Sequence, residues 1–381
     1  MRGNSDWVDR IAVSSIFLAN GFAVGAWVSR IPAVQQRLSL SPAVLGVVLL
    51  ASAVGALVSM TLSGWLSERV GNARIVAGSV VLVGLAMALL GKAPSMAALA
   101  GALLLFGLGG GAMDVAMNAE AVRVEQRFGR SIMSSFHGLW STGAMAGAAL
   151  GSLATAHEAG LFAFLGSVGV GVVLIGLTST AFLPPSLQSI AVEKSPIFVV
   201  PPRALIGVAV IAGCAYLSEG AIGDWNALFL IREEHVRAAL ATGGFAAFSM
   251  AMAVGRFAGD GVIRRFGPVS TVRVGALCAA VSLAIELAVG RPWAVFPSLI
   301  VIGLSFAAIV PVAFSAAGNA VGISPSRGLA AVATAGYVGF LAGPPLIGFV
   351  AELVHLRWAL VIVVALCLTA AAFARSVGRR E

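Results

Sequence analysis

The polar positions along this chain are sparse, and they fall in clusters that divide the sequence into long apolar runs. The runs cover 11–29, 42–66, 75–92, 97–122, 131–156 and 160–183, then 204–231, 239–262, 271–289, 294–321, 328–351 and 356–374. Each has roughly the 17–25 residues that carry an α-helix across a hydrocarbon core of about 30 Å. The spacing therefore predicts twelve transmembrane helices in two sets of six. Between the sets stands a polar break with Pro184, Pro185, Glu193, Lys194, Pro196, Pro201, Pro202 and Arg203. The expected organisation is an N-terminal six-helix bundle over 1–183, a cytoplasmic linker over 184–203 and a C-terminal six-helix bundle over 204–381.

Composition agrees with this pattern. Of 381 residues, 59% are hydrophobic and 10% charged, and the mean hydropathy is +0.99. A soluble domain carries about 25% charged residues, so an all-α polytopic membrane protein is the class that fits. The 46 glycines suit close helix approach in a bilayer. Cys214, Cys278 and Cys367 lie inside apolar runs and read as small packing residues, not as disulfide partners or metal ligands. The segment 1–10 is polar and no small-residue cleavage site follows, so no signal peptide is expected.

The net charge of +8 is a matter of topology rather than of nucleic-acid binding. If the N-terminus is cytoplasmic, the cytoplasmic segments hold most of the cations, including Arg69, Arg74, Arg123, Arg127, Arg130, Lys194, Arg264, Arg265 and Arg273. The opposite segments hold fewer, among them Arg30, Arg37, Lys92, Arg232 and Arg357. The positive-inside rule then places both termini in the cytoplasm, and the inner membrane is the expected location.

The two halves echo each other. Gly64-Trp-Leu-Ser-Glu68-Arg69-Val-Gly71, between the second and third runs, matches Asp260-Gly-Val-Ile-Arg264-Arg265-Phe-Gly267, between the eighth and ninth. Asn20-Gly21 with Trp27 echoes Glu219-Gly220 with Trp225, and Trp140 corresponds to Tyr337. Six helices per half keep both repeats in one orientation, a parallel-repeat architecture associated with alternating access.

Few ionisable groups lie within the runs. A charge at mid-membrane costs about 2.5–3.5 kcal/mol on insertion scales and marks function by default. Asp114 lies nine residues before Arg123, about 13.5 Å along a helix, and Asn118 follows it one turn on. His137 lies seven residues past Arg130, about 10 Å inward, at nearly the depth of Asp114, and it titrates near neutral pH. Paired with Asp114, His137 would make a proton-responsive couple. Each also has a bland reading, Asp114 as a packing hydrogen bond and His137 as a packing histidine. Glu219 and Asp224 occupy the seventh run, where Gly220 and Gly223 would permit unwinding. Asp224 and Asn226 equally suit an outer gate.

Asp114, His137, Glu219 and Asp224 are the candidates for proton coupling. Asn20, Trp27, Asn118, Trp140, Ser141, Trp225, Asn226, Asn319 and Tyr337 are the candidates for binding solute, with Trp27 equally suited to anchoring at the membrane interface. Arg256 with Asp260, four apart, and Glu120 with Arg123, three apart, have the spacing of structural pairs. Glu286 has no assigned role.

The segment Gly64-x-Leu66-x-Glu68-Arg69-x-Gly71-x-x-Arg74 resembles the loop signature of the major facilitator superfamily, with Glu68 where an Asp is usual. The resemblance covers the whole chain. It implies two six-helix bundles around a central cavity. It also makes Gly64, Glu68, Arg69, Gly71, Arg74, Arg265 and Gly267 a gating latch, although such charges also serve as topology anchors. Asp114 four before Asn118, Arg130, and Phe136-His137-Gly138 further resemble the fucose–proton symporter branch. That branch implies a coupling role for Asp114 and a substrate contact at His137. It carries an acid on the first helix, where this chain has Trp27-Val-Ser-Arg30 before Pro32.

No phosphate loop, His-Glu-x-x-His or Cys-x-x-Cys is present. No enzyme, cofactor or metal is expected, and energy would come from an ion gradient. The expected partners are a small-molecule substrate, protons and membrane lipid, without nucleic acid, and the expected state is a monomer. Proton-coupled uptake is the leading reading and proton-driven efflux of hydrophobic or cationic compounds the alternative. A non-transporting receptor lacks a soluble output domain here.

Overall fold

The computed structural model describes residues 2–129, 132–183 and 199–378. Arg130, linker residues 184–198 with Glu193, Lys194 and Pro196, and Arg379 and Arg380 lie outside the described residues, as do the side chains of Gly64 and Glu68.

Each apolar run holds one helix over most of its length, except 294–321, which holds two. The first half contains α1 (Arg2–Leu38), α2 (Pro42–Val70), α3 (Asn72–Lys92), α4 (Met96–Phe128), α5 (Met133–Ala156) and α6 (Leu161–Ala181). The second contains α7 (Ile206–Arg232), α8 (Ala238–Phe266), α9 (Pro268–Val289), α10 (Pro292–Phe306), α11 (Ile309–Gly318), α12 (Pro325–Val354) and α13 (Leu356–Phe373). The architecture is all-α and polytopic. Among the described residues, eleven helical stretches are long and apolar enough to cross a membrane, with α10 and α11 together forming one. The run 131–156 is also helical, as α5, but its Ser, Thr, Gly and His137 content keeps it out of that set.

Three boundaries differ from the sequence expectation. α1 continues past residue 29 through Pro32 to Leu38; proline is tolerated in membrane helices because neighbouring groups re-satisfy the freed backbone. The run 294–321 breaks after Phe306 and resumes at Ile309. Pro311 explains the break, because a proline ring clashes with the carbonyl four residues earlier, here that of Ala307. The signature segment is mostly helix, since α2 reaches Val70 and α3 starts at Asn72.

The turn between α2 and α3 is made by Gly71 at φ 82, ψ 151, and its repeat counterpart Gly267 joins α8 to α9 at φ 76, ψ 161. This region of backbone space is essentially glycine-only. The same strained turn at the same place in both halves is the repeat expressed as geometry.

Helix pairing repeats too. α1 packs on α5 as α7 packs on α12, and α3 contacts α4 and α6 as α9 contacts α10 and α13. α2 meets α4 through Gly55, Gly107 and Gly111, and α8 meets α10 through Gly303. The chain divides into two compact units. Unit 1 is Met1–Leu40 with Val48–Val192, and unit 2 is Ser41–Val47 with Glu193–Glu381.

Candidate transport site

In unit 1 the candidate residues come from α1, α4 and α5. The contact between α1 and α5 is made by glycines. A Cβ at Gly21 or Gly25 would fall on the Trp140 or Ala144 carbonyl oxygen, and one at Gly143 or Gly147 on that of Leu18 or Phe22. With the backbones this close, Asn20 and Trp140 meet across the contact, and the indole N–H donates to Asn20 Oδ1 at 2.8 Å. Ser141, buried one residue on, donates to the His137 carbonyl at 3.3 Å.

Asp114 is half-buried on α4. Its side chain bonds along its own helix: Asn118 Nδ2 donates to Asp114 Oδ1 at 3.2 Å and to the Asp114 carbonyl at 2.9 Å. The His137 ring stands edge-on to Phe17 of α1, with centroids 5.4 Å apart. Trp27 is 5% exposed within unit 1, which removes its reading as an interfacial anchor.

In unit 2, α7 runs unbroken from Ile206 to Arg232. Gly220 and Gly223, which would permit unwinding, lie within this continuous helix. Successive residues on a helix point about 100° apart, so Asp224, Trp225 and Asn226 part company. Asp224 is half-buried. Trp225 is wholly buried, and Asn226 turns inward, donating to Glu286 Oε1 of α9 at 3.2 Å. Glu219 approaches Arg256 of α8, with Oε1 3.8 Å from Nη2. Arg256 was expected to pair with Asp260, one turn along its own helix. Asp260 is exposed, whereas Glu219 is a half-buried carboxylate that gains far more from a cation. Asn319 is exposed at the end of α11, bonded to the Ser315 carbonyl at 2.8 Å. Tyr337 is half-buried on α12.

Around the signature turn, Arg69 lies over the Trp65 ring, 3.8 Å from its centroid, and Arg74 donates to the Val70 carbonyl at 3.3 Å. Arg265 lies over Phe266. The buried side of the turn carries a network that the sequence did not reveal. The Ser67 hydroxyl donates to Asn72 Oδ1, and Asn72 Nδ2 donates to Glu120 Oε1 at 2.9 Å. Arg123 closes the network on Glu120 at 2.9 and 3.1 Å. The expected Glu120–Arg123 pair is thus present, and it also ties α4 to the α2–α3 turn. Arg127 of α4 forms an ion pair with Asp9 of α1. Among the described residues, no three His, Cys, Asp or Glu side chains gather as metal ligands.

The family model for the Major Facilitator Superfamily matches residues 13–324. The chain belongs to the major facilitator superfamily. An uncharacterised MFS-type transporter of Yersinia pestis is 33% identical over 373 residues, covering 97% of this chain and 96% of that protein. Among solved structures, the fucose:proton symporter FucP of E. coli superposes with a TM-score of 0.65 at 17% identity, over 97% of this chain and 98% of that one. The nucleoside transporter NupG superposes with a TM-score of 0.75 at 13% identity, over 98% and 100%. At such identities the likeness concerns the fold. Members of this superfamily and the relatives found are membrane transporters rather than enzymes, and this chain is a multi-pass transporter of small molecules.

Proposed function

We propose that this transporter takes up a small polar solute together with protons, by alternating access, with Asp114 as the main protonation site. The observation that carries the reading is the company Asp114 keeps. Its side-chain partner is the neutral amide of Asn118, whereas Glu219 in the other unit has the cation Arg256 nearby. An ionised carboxylate supported by one amide depends on water for the rest of its stabilisation. When a conformational change withdraws that water, the ionised form becomes costly, and taking a proton removes the cost. Solute and proton thus favour the same reorientation, which is coupling by differential affinity for two states.

Asn20, Asn118, Trp140 and Tyr337 are the solute-binding groups we favour, because each is polar and near the candidate carboxylates in sequence depth. Ser141, Trp27, Trp225 and Asn226, all buried, hold these helices in place. Glu219 and Asp224 supply further acid groups, His137 a neutral-pH titrating ring, and the Gly64–Arg74 and Arg265–Gly267 segments the latch. The functional halves are 1–183 and 204–381, joined by the linker 184–203, in an inner membrane with both termini cytoplasmic. The FucP likeness supports proton-driven uptake as a mode that this fold can perform.

Proteoliposomes with an imposed proton gradient test the reading. After a thermal-shift screen of sugars, nucleosides and organic acids identifies a ligand, uptake of that ligand is expected to depend on an inside-alkaline gradient. Gradient-driven accumulation of the ligand into right-side-out vesicles supports uptake; its expulsion establishes efflux and overturns the proposed direction.

A further inference from the structure

α9 carries a carboxylate that the transport reading does not use. Glu286 lies in the last turn of α9 and is 1% exposed. Its Oε1 accepts the hydrogen bond from Asn226 of α7 at 3.2 Å. Its Oε2 is buried and makes no hydrogen bond of ordinary geometry. The Ser298 hydroxyl of α10, 4% exposed, lies beside the same carboxyl group, able to donate to it or accept from it, and likewise makes no bond of ordinary geometry. Asn226, 3% exposed, keeps a third open oxygen, Oδ1.

Among the described residues, no cation pairs with this group. Arg357, at the start of α13, pairs with Glu234, donates to the Leu287 carbonyl and lies over Phe229. The charge that acts on Glu286 is Glu234, a second carboxylate. From α7 and α10 the facing groups are neutral, Asn226 and Ser298, and α8 brings Gly244 alongside Asn226. A buried ionised carboxylate with one amide, one hydroxyl and no cation of its own is costly in a protein interior.

One added proton resolves both open positions. A hydrogen on Oε2 gives the carboxyl group a donor, and the Ser298 oxygen is the acceptor beside it. We propose that Glu286 is a proton-binding site within unit 2, formed by Asn226 and Ser298 around a neutral carboxylic acid. It is distinct from Asp114, and its existence does not depend on which solute the protein carries.

The test uses the full-length purified protein and needs no substrate. Infrared spectra at neutral pH should contain the carbonyl stretch of a buried protonated carboxylic acid, and Glu286→Gln should delete that component. Ser298→Ala should shift its frequency, because the acid loses its acceptor. The folded state holds a proton that the unfolded chain releases above the ordinary carboxylate range. The unfolding temperature of the wild type should therefore fall as pH rises from 5 to 8, and E286Q should flatten this dependence. Gln is neutral and isosteric with the acid, so E286Q should unfold close to the wild-type temperature at low pH.

Three results would overturn the proposal. The carbonyl band could survive E286Q or ignore S298A. E286Q could unfold far below the wild type at every pH, which would mean that the negative charge is required. Sodium in place of potassium could raise the unfolding temperature of the wild type and not of E286Q, which would make a metal cation the occupant.

Discussion

The two units are built on one helical plan and settle their membrane-embedded charges differently. In unit 1 Asp114 is bonded to an amide one turn along its own helix. In unit 2 Glu219 approaches a guanidinium on a neighbouring helix. Glycines set against facing carbonyls are common to both units, at Gly25 with Ala144 in the α1–α5 contact and at Gly339 with Gly213 in the α7–α12 contact. The packing differs at Gly220 and Gly223 of α7, where an added Cβ would lie 3.8 and 3.5 Å from the rings of Phe340 and Phe245. A carboxylate bonded only to an amide has no countercharge, so its ionised form leans on water and on that one hydrogen bond. One beside a cation is biased toward its charge. On the function proposed above, unit 1 handles the proton through Asp114 and unit 2 holds Glu219 beside a cation, while Glu286 is a separate acid of unit 2.

The largest expected effect comes from the packing contrast. Gly25→Leu drives a side chain into the Ala144 carbonyl, and a clash with backbone has no cheap relaxation. The variant should lose more than about 4 kcal/mol and fail to yield monodisperse protein in size-exclusion chromatography. Gly220→Ala should be neutral or stabilising by up to about 1 kcal/mol. If both are tolerated equally, the packing difference is not real.

Next is the charge contrast. Arg256→Met strands Glu219, and leaving a buried group unsatisfied costs about 1–3 kcal/mol, at the lower end here because both side chains keep some exposure. Thermal unfolding should recover in Arg256→Met with Glu219→Gln, since the second change removes the stranded charge. Failure to recover means that Arg256 acts through another partner.

A smaller effect is expected at the signature turn. Asn72→Ala leaves Glu120 with Arg123 alone and the Ser67 hydroxyl without its acceptor, a loss of about 1–2 kcal/mol. It should show as faster proteolysis near residue 71, where the turn opens, and unchanged proteolysis argues against the network. The smallest is Trp140→Phe, which removes the hydrogen bond to Asn20 at about 0.5–1.5 kcal/mol. It should raise the KM for solute more than it lowers the turnover, because the indole is assigned to binding.

The sequence made the helices legible because each is long, apolar and bounded by charge, and the paired glycine turns were legible because the repeat is written twice. Partners were less so. Asn118, one turn on from Asp114, was legible as its neighbour from helical period, but contacts between helices depend on how the two roll against each other, which counting residues does not give. Arg256 obeyed the same limit, passing over an exposed Asp260 for a half-buried Glu219 on another helix. The break before Ile309 was available in Pro311 and was hidden by the apolarity of the run. Ser67 and Asn72 gave no signal, since a short polar residue at a helix junction is ordinary until its neighbour is known to be a buried Glu120.

The central claim is that the amide-bonded acid of unit 1 carries the proton. Its most direct measurement is uptake into proteoliposomes by Asp114→Asn, with and without a proton gradient, beside wild type. Asn mimics the protonated acid in shape and neutrality, so ligand binding and counterflow exchange should persist while gradient-driven accumulation falls to the level of exchange. Accumulation by D114N with the wild-type response to the gradient would contradict the account.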